Sequence, residues 1–157
     1  MVMAASAIAN KGEMVYPHLV KMIVQNGEIH ENTIPQKVGK PISEATAQTL
    51  TEMLTISLEE ESSMSLVGGY KIAGKTGTAQ VPTPNGTYDT NKTNASFIGW
   101  GPVDDPKFLV YIWLEKPTAS IWGSETAAPT FSRIAKRLVV ILDIPPDSIR
   151  LQASAGP

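Results

Sequence analysis

The sequence predicts an α+β fold, an antiparallel sheet flanked by helices, on three observations. Two segments, 43–60 and 131–142, repeat apolar residues at three- and four-residue steps, the spacing of helices that bury one stripe. Between them lie two strand-like runs, 95–100 and 108–114, joined by a seven-residue link too short for a parallel crossover. Near the start, Asn26-Gly27 follows a β-branched and aromatic run and signals a hairpin turn.

Taken in order, residues 1–9 are small, apolar and helix-friendly, and Asn10-Lys11-Gly12 stops that helix, with Gly12 free to take the left-handed cap conformation. A chain that opens in mid-helix suggests a piece of a longer protein. Residues 14–24 read as a strand, and residues 28–40 as a short return strand and a loop. Ser43 is placed as the N-cap of the next helix, with Glu44 favoured by the dipole in its first turn. Ala47, Leu50, Met53, Leu54 and Leu58 form its apolar stripe, and Glu59-Glu60-Glu61 a solvated end. A loop over 62–69 leads to a short strand, 70–74. Residues 81–94 carry too many Pro, Asn and Gly residues for regular structure.

The run FLVYIWL is apolar without alternation, which marks a central strand covered on both faces. Gly101 to Lys107 holds two prolines and two aspartates and reads as a turn. The closing helix starts near Thr126 and Pro129, carries Phe131, Ile134, Ala135, Leu138, Val139 and Leu142 on one side, and stops at Pro145-Pro146. One domain over 1–150 and a disordered tail over 151–157 are expected.

Composition removes several functional classes. At 157 residues, 42% hydrophobic and 18% charged, the chain has the size and make-up of one globular domain. A net charge of -2 gives no electrostatic reason to expect nucleic acid. The absence of cysteine excludes a disulfide framework, a thiolate zinc site and a cysteine nucleophile. No apolar run approaches the roughly 18–20 residues of a membrane span, and the first residues lack the basic start of a secretory signal. His18 and His30 fall in different segments, without the acidic neighbours of a metal site. No metal or cofactor is expected.

The chemistry is concentrated in Lys75-Thr76-Gly77, within Gly74-Lys75-Thr76-Gly77-Thr78-Ala79-Gln80 and at the end of the short strand. An ammonium beside hydroxyls makes a cationic, donor-rich spot suited to a carboxylate. Flanking glycines let a ligand approach the backbone. A strand edge with free N–H groups binds an extended peptide or directs an amide at a developing oxyanion. Of the tryptophans, Trp113 is expected in the core, while Trp122, in a loop, is expected at a cleft rim.

Lys-Thr-Gly is the third motif of penicillin-binding proteins and serine β-lactamases, after S-x-x-K and S-D-N. Here it is followed by a loop, by ASFIGWGPVDDPKFLVYIWLEKP, and by Ala127-Ala128-Pro129-Thr130-Phe131 at a helix start. Ala7-Ile8-Ala9-Asn10-Lys11-Gly12 and Pro17-His18-Leu19-Val20 precede it. Over nearly its whole length the chain resembles the C-terminal part of the transpeptidase domain of penicillin-binding proteins. Ala79-Gln80 after KTGT looks like the monofunctional class B enzymes.

The resemblance implies a partial penicillin-binding, serine β-lactamase-like fold and acyl transfer. A serine attacks the D-Ala-D-Ala carbonyl of a peptidoglycan stem peptide, and a neighbouring stem's amine resolves the acyl-enzyme into a cross-link. β-Lactams are attacked by the same serine. Carried onto this sequence, Lys75 and Thr78 are the catalytic residues, and Thr76, Gly77 and Thr78 bind substrate. Lys75 supplies positive charge and orients the terminal carboxylate, while Thr76 and Thr78 offer hydroxyls to it. Gly77 keeps the strand open, and the Thr78 N–H is half of the oxyanion hole. The 81–94 loop borders the cleft.

The departure is that neither S-x-x-K nor S-x-N occurs in the chain. The nucleophile is therefore expected elsewhere in a longer parent, and the chain alone is expected to be inactive. The implied partners are stem peptides, β-lactams, the rest of the parent domain and a wall-synthesis complex. The parent is expected to be membrane-anchored, with this domain outside the cytoplasm. An unpaired sheet edge would invite dimerisation. Alternatives are a serine β-lactamase or D,D-carboxypeptidase fragment, and a non-catalytic scaffold.

Overall fold

A computed structural model describes residues 1–61 and 65–154. Helix α1 (Val2–Ala9) ends in a Schellman arrangement, in which the Gly12 N–H donates to the Ala7 carbonyl at 2.7 Å. The left-handed conformation expected at Gly12 (φ 89°) is shared with Lys11 (φ 54°). A Cβ on Gly12 would lie 2.2 Å from the Ile42 carbonyl oxygen, so this glycine also lets α1 close onto the start of the next helix.

The expected strand over 14–24 is two strands. β1 (Met14–Val15) pairs with β4 (Lys37–Gly39), and β2 (Met22–Gln25) pairs with β3 (Glu28–Asn32). Pro17 lies between β1 and β2 and has no N–H to give a ladder, which separates them. The Asn26-Gly27 turn forms as expected, both residues having positive φ (54° and 82°), the signature of a type I′ turn.

Helix α2 (Glu44–Glu61) is capped where the sequence places the cap: the Thr46 N–H donates to Ser43 Oγ at 3.0 Å. Ala47 and Leu58 are buried and Leu50 and Leu54 half-buried, but Met53 stands 61% exposed, outside the stripe. Glu59 and Glu60 are exposed. Part of the expected 62–69 loop, residues 62–64, lies outside the described residues.

The main sheet is antiparallel in the order β5-β6-β7, built from β5 (Ala73–Pro82), β6 (Tyr88–Gly101) and β7 (Phe108–Glu115). β6 alternates cleanly: Thr93, Ala95, Phe97 and Gly99 are buried, while Asn94, Ser96 and Ile98 are half-buried. Helix α3 (Ala127–Ile141) covers the buried face, and the Phe97 and Phe131 rings meet with centroids 4.6 Å apart at 41°. Leu58, Val67, Ile72, Ala127, Ala128 and Ala135 complete this core.

Several expectations change here. The short strand expected over 70–74 starts at Ala73 and continues to Pro82, so Lys75-Thr76-Gly77 lies within a strand. Tyr70 and Lys71 stay off that ladder because they bond elsewhere: Tyr70 Oη donates to the Ile144 carbonyl, and the Lys71 N–H to Asp147 Oδ2, both at 2.7 Å. Residues 81–94 are not irregular. The strands continue to Pro82 and resume at Tyr88, and Pro84, Asn85 and Gly86 fall in the five-residue turn between them, with Gly86 at φ 81°.

The Phe108–Glu115 strand is an edge, since β6 takes the centre, and its outer side has no partner strand among the described residues. Its apolar character answers to the packing of α1 and α3 against it. Trp113 is 53% exposed and not in the core, and Ile134 and Leu142 of the last stripe are also exposed. A further helix, α4 (Asp147–Ser154), continues four residues into the expected tail, and residues 155–157 lie outside the described residues.

Because Phe97 is fully buried against Phe131 at the centre of this core, Phe97→Ala should destabilise the protein by about 3–5 kcal/mol. Urea unfolding checks this as a lowered midpoint.

Candidate active site

β5 pairs only with β6 among the described residues, so one side of the Lys-Thr-Gly strand is hydrogen-bonded and the other is open. The register is regular from Ala73 to Gln80: Lys75 faces Ile98, Thr76 faces Phe97, Gly77 faces Ser96 and Thr78 faces Ala95. Alternation then puts Thr76, Thr78 and Gln80 on the face shared with Phe97, Ala95 and Thr93. Lys75 and Gly77 lie on the opposite face with Ile98 and Ser96. The ammonium and the two hydroxyls therefore straddle the open edge of the strand instead of sharing a face. Lys75 and Thr78 are exposed, and Thr76 and Gly77 are half-buried.

Gly77 also has a packing role beside the openness expected of it. A Cβ there would meet Ser96 Oγ at 2.4 Å, so the glycine accommodates its cross-strand neighbour. Its carbonyl is also approached from above by the β7–α3 loop. A Cβ on Gly123 would lie 2.6 Å from the Gly77 oxygen and 2.8 Å from the Ser96 oxygen.

That loop is fastened at several points. The Gly123 N–H donates to Thr78 Oγ1 at 3.1 Å, and the buried Thr93 hydroxyl donates to the Ile121 carbonyl. The Ala128 N–H in the first turn of α3 donates to the Gly123 carbonyl at 2.9 Å. Ser120 Oγ donates to Glu125 Oε2 at 2.5 Å and accepts from the Trp122 N–H at 3.2 Å. Hydrogen bonds thus run from the motif strand, through the loop, to the helix that covers the core.

Between the loop and the β5–β6 hairpin lies an open groove of about 590 Å³, with Thr78, Gln80, Tyr88, Thr93 and Trp122 among its lining residues. Trp122 is 52% exposed, so its expected place at a cleft rim matches the geometry. The hairpin expected to border a cleft supplies Tyr88 and Thr90 to the groove, and its turn is held by the Thr83 hydroxyl donating to the Thr87 carbonyl at 2.9 Å. A second cavity of about 570 Å³, between α1 and α2, is lined by none of the motif residues. His18 and His30 are both exposed, and among the described residues no three metal-ligating side chains come together.

Sequence reasoning did not single out Thr93, Ser96 or Gly123. Their importance comes from register and from loop-to-sheet contact, neither of which has a local pattern. The lone local cue was a glycine between Trp122 and Ser124, shortly ahead of the Ala127-Ala128-Pro129 helix start.

An antiparallel sheet with a Lys-Thr-Gly strand at its open edge, a covering C-terminal helix and a loop bonded across the motif defines the class of penicillin-recognising, serine-dependent proteins. Comparison with known proteins narrows this. The family model described as the penicillin binding protein transpeptidase domain matches residues 1–136. Penicillin-binding protein PbpB of Mycolicibacterium smegmatis is 33% identical over 150 residues, 88% of this chain and 23% of that protein. Stage V sporulation protein D of Bacillus subtilis is 32% identical over 151 residues, 92% of this chain and 23% of that protein. Among solved structures, penicillin binding protein 3 from Mycobacterium tuberculosis complexed with aztreonam superposes with a TM-score of 0.80 at 30% identity, over 92% of this chain and 35% of that one. The chain belongs to the penicillin-binding protein transpeptidase domain family, and it spans about a quarter of the length of the curated relatives it matches.

The Gly77–Ser96 contact makes a prediction. Gly77→Ala should destabilise the protein by about 1–3 kcal/mol through overpacking. Adding Ser96→Ala should restore most of that, because the next atom, Ser96 Cβ, lies 3.8 Å away. Thermal unfolding of the single and double variants checks it.

Proposed function

We propose that this chain forms one wall of a D,D-transpeptidase active site that cross-links peptidoglycan stem peptides through a serine acyl-enzyme. The observation that carries the reading is the exposure of Lys75 and Thr78 at the open edge of the Lys-Thr-Gly strand, in a chain of this family. Neither S-x-x-K nor S-x-N is present, so the attacking serine comes from outside these 157 residues.

The serine oxygen adds to the carbonyl carbon of the penultimate D-Ala, and the carbonyl electron pair moves to its oxygen. The Thr78 N–H donates to that oxyanion, and the loss of one such donor typically costs about 10²–10³ in rate. Collapse expels the terminal D-Ala as an amine, its nitrogen taking up the proton the serine gave up on attack, and leaves an ester. The amine of a neighbouring stem attacks the ester, forms the cross-link and returns the serine. Lys75 supplies positive charge beside the reacting groups, and the Thr76 and Thr78 hydroxyls donate to the terminal carboxylate. Gly77 lets the donor lie close to the strand.

A β-lactam enters the same chemistry by ring opening, its nitrogen remaining tethered to the acyl group. Structures of the relative from M. tuberculosis complexed with ampicillin and with aztreonam support this part of the reading. The family also supports a site on the extracytoplasmic side of the membrane, in an anchored parent that works with other wall-synthesis proteins. No helix among the described residues is long and apolar enough to cross a membrane.

In the full-length protein, Lys75→Ala should slow acylation by a fluorescent penicillin by roughly 10²-fold or more, with the unfolding temperature unchanged. Stopped-flow or gel-based labelling measures this. An unaltered rate, or a wild-type protein that takes no label, overturns the proposal.

A further inference from the structure

We infer that Gly123 is a positioning residue that sets the direction in which the Thr78 hydroxyl donates, so that the β7–α3 loop aims this hydroxyl at an anionic group of the acyl donor. The inference rests on the reading of the β5 edge as the acyl-donor site.

A threonine hydroxyl has one proton to give and two positions at which to accept. At Thr78 one accepting position is filled by the Gly123 N–H at 3.1 Å. An amide N–H accepts nothing, so the hydroxyl proton must point elsewhere. Among the described residues Thr78 Oγ1 has no acceptor, and the side chain is exposed at the groove it shares with Gln80 and Trp122. The amide bond also polarises the hydroxyl and strengthens its donation to a negative oxygen. A carboxylate is the group that such a donor, on a strand that also carries Lys75, is suited to hold.

Glycine is needed at 123 for a steric reason. A Cβ would come within 2.6 Å of the Gly77 oxygen and 2.8 Å of the Ser96 oxygen, so any side chain lifts the loop and withdraws the amide from Thr78. The Thr93 hydroxyl, donating to the Ile121 carbonyl, holds the loop down two residues before Gly123.

The test is a double-mutant cycle in the full-length protein, read as second-order acylation rates for benzylpenicillin and for its methyl ester, which lacks the carboxylate. Thr78→Val keeps the backbone N–H and removes the hydroxyl. It and Gly123→Ala should each slow the free acid by about 10- to 100-fold more than they slow the ester, and Thr78→Ser should restore the acid rate. With Thr78→Val already present, Gly123→Ala should add no further loss. Thr93→Ala loosens the loop without adding an atom at the sheet and keeps the test open if Gly123→Ala fails to fold. It too should lower the acid-to-ester ratio and be silent beside Thr78→Val. Additive losses, or equal slowing of acid and ester, overturn the role of Gly123 and leave the proposed function standing. A wild-type protein acylated by neither compound overturns the proposed function, and this inference with it.

Discussion

The candidate site depends on one constraint: among the described residues, β5 is hydrogen-bonded along one side only. Were a further strand paired to its free side, the backbone between Lys75 and Thr78 would be closed and no ligand could approach it. Since side chains alternate, Lys75 and the two threonines project to opposite faces, and the open edge is the place both reach. The chemistry is thus a property of the edge as much as of the residues. Holding an unsupported edge in a fixed position is the task the surrounding structure performs, through the Phe97–Phe131 contact beneath β6 and the loop bonds above β5.

The glycines around the motif belong to the same arrangement. Gly77 and Gly123 each occupy a position where a Cβ would lie under 3 Å from another atom, the first against Ser96 and the second against two sheet carbonyls. Close approach, not flexibility, explains both. It draws the β7–α3 loop onto the sheet so tightly that a loop amide reaches a motif hydroxyl, and it couples the site to α3 through the Ala128 bond to the Gly123 carbonyl.

Much of the fold was legible because its signals are local. The Ser43 cap, the Asn26-Gly27 turn and the α3 stripe at Phe131, Ala135 and Val139 each depend on residues within a few positions of one another. The motif strand was legible through its resemblance. What could not be read depended on contacts distant in sequence. FLVYIWL is as apolar at an edge packed by two helices as it would be in the centre of a sheet, so its position in the sheet was missed. The strand character of 88–94 was hidden because Asn and Asp are poor strand formers, and pairing within the sheet overrides that preference. Gly123 lies 45 residues after Thr78, and nothing local to it points to that partner.

The central claim is that the free edge of β5 receives the acyl group through the Thr78 amide. It is tested most directly by a crystal structure of the full-length protein after reaction with a penicillin. The account predicts the acyl carbonyl oxygen about 2.7–3.1 Å from the Thr78 backbone nitrogen, with the antibiotic's carboxylate at the Thr78 hydroxyl. An acyl group whose carbonyl oxygen points away from β5, with other amides as its donors, would contradict the account.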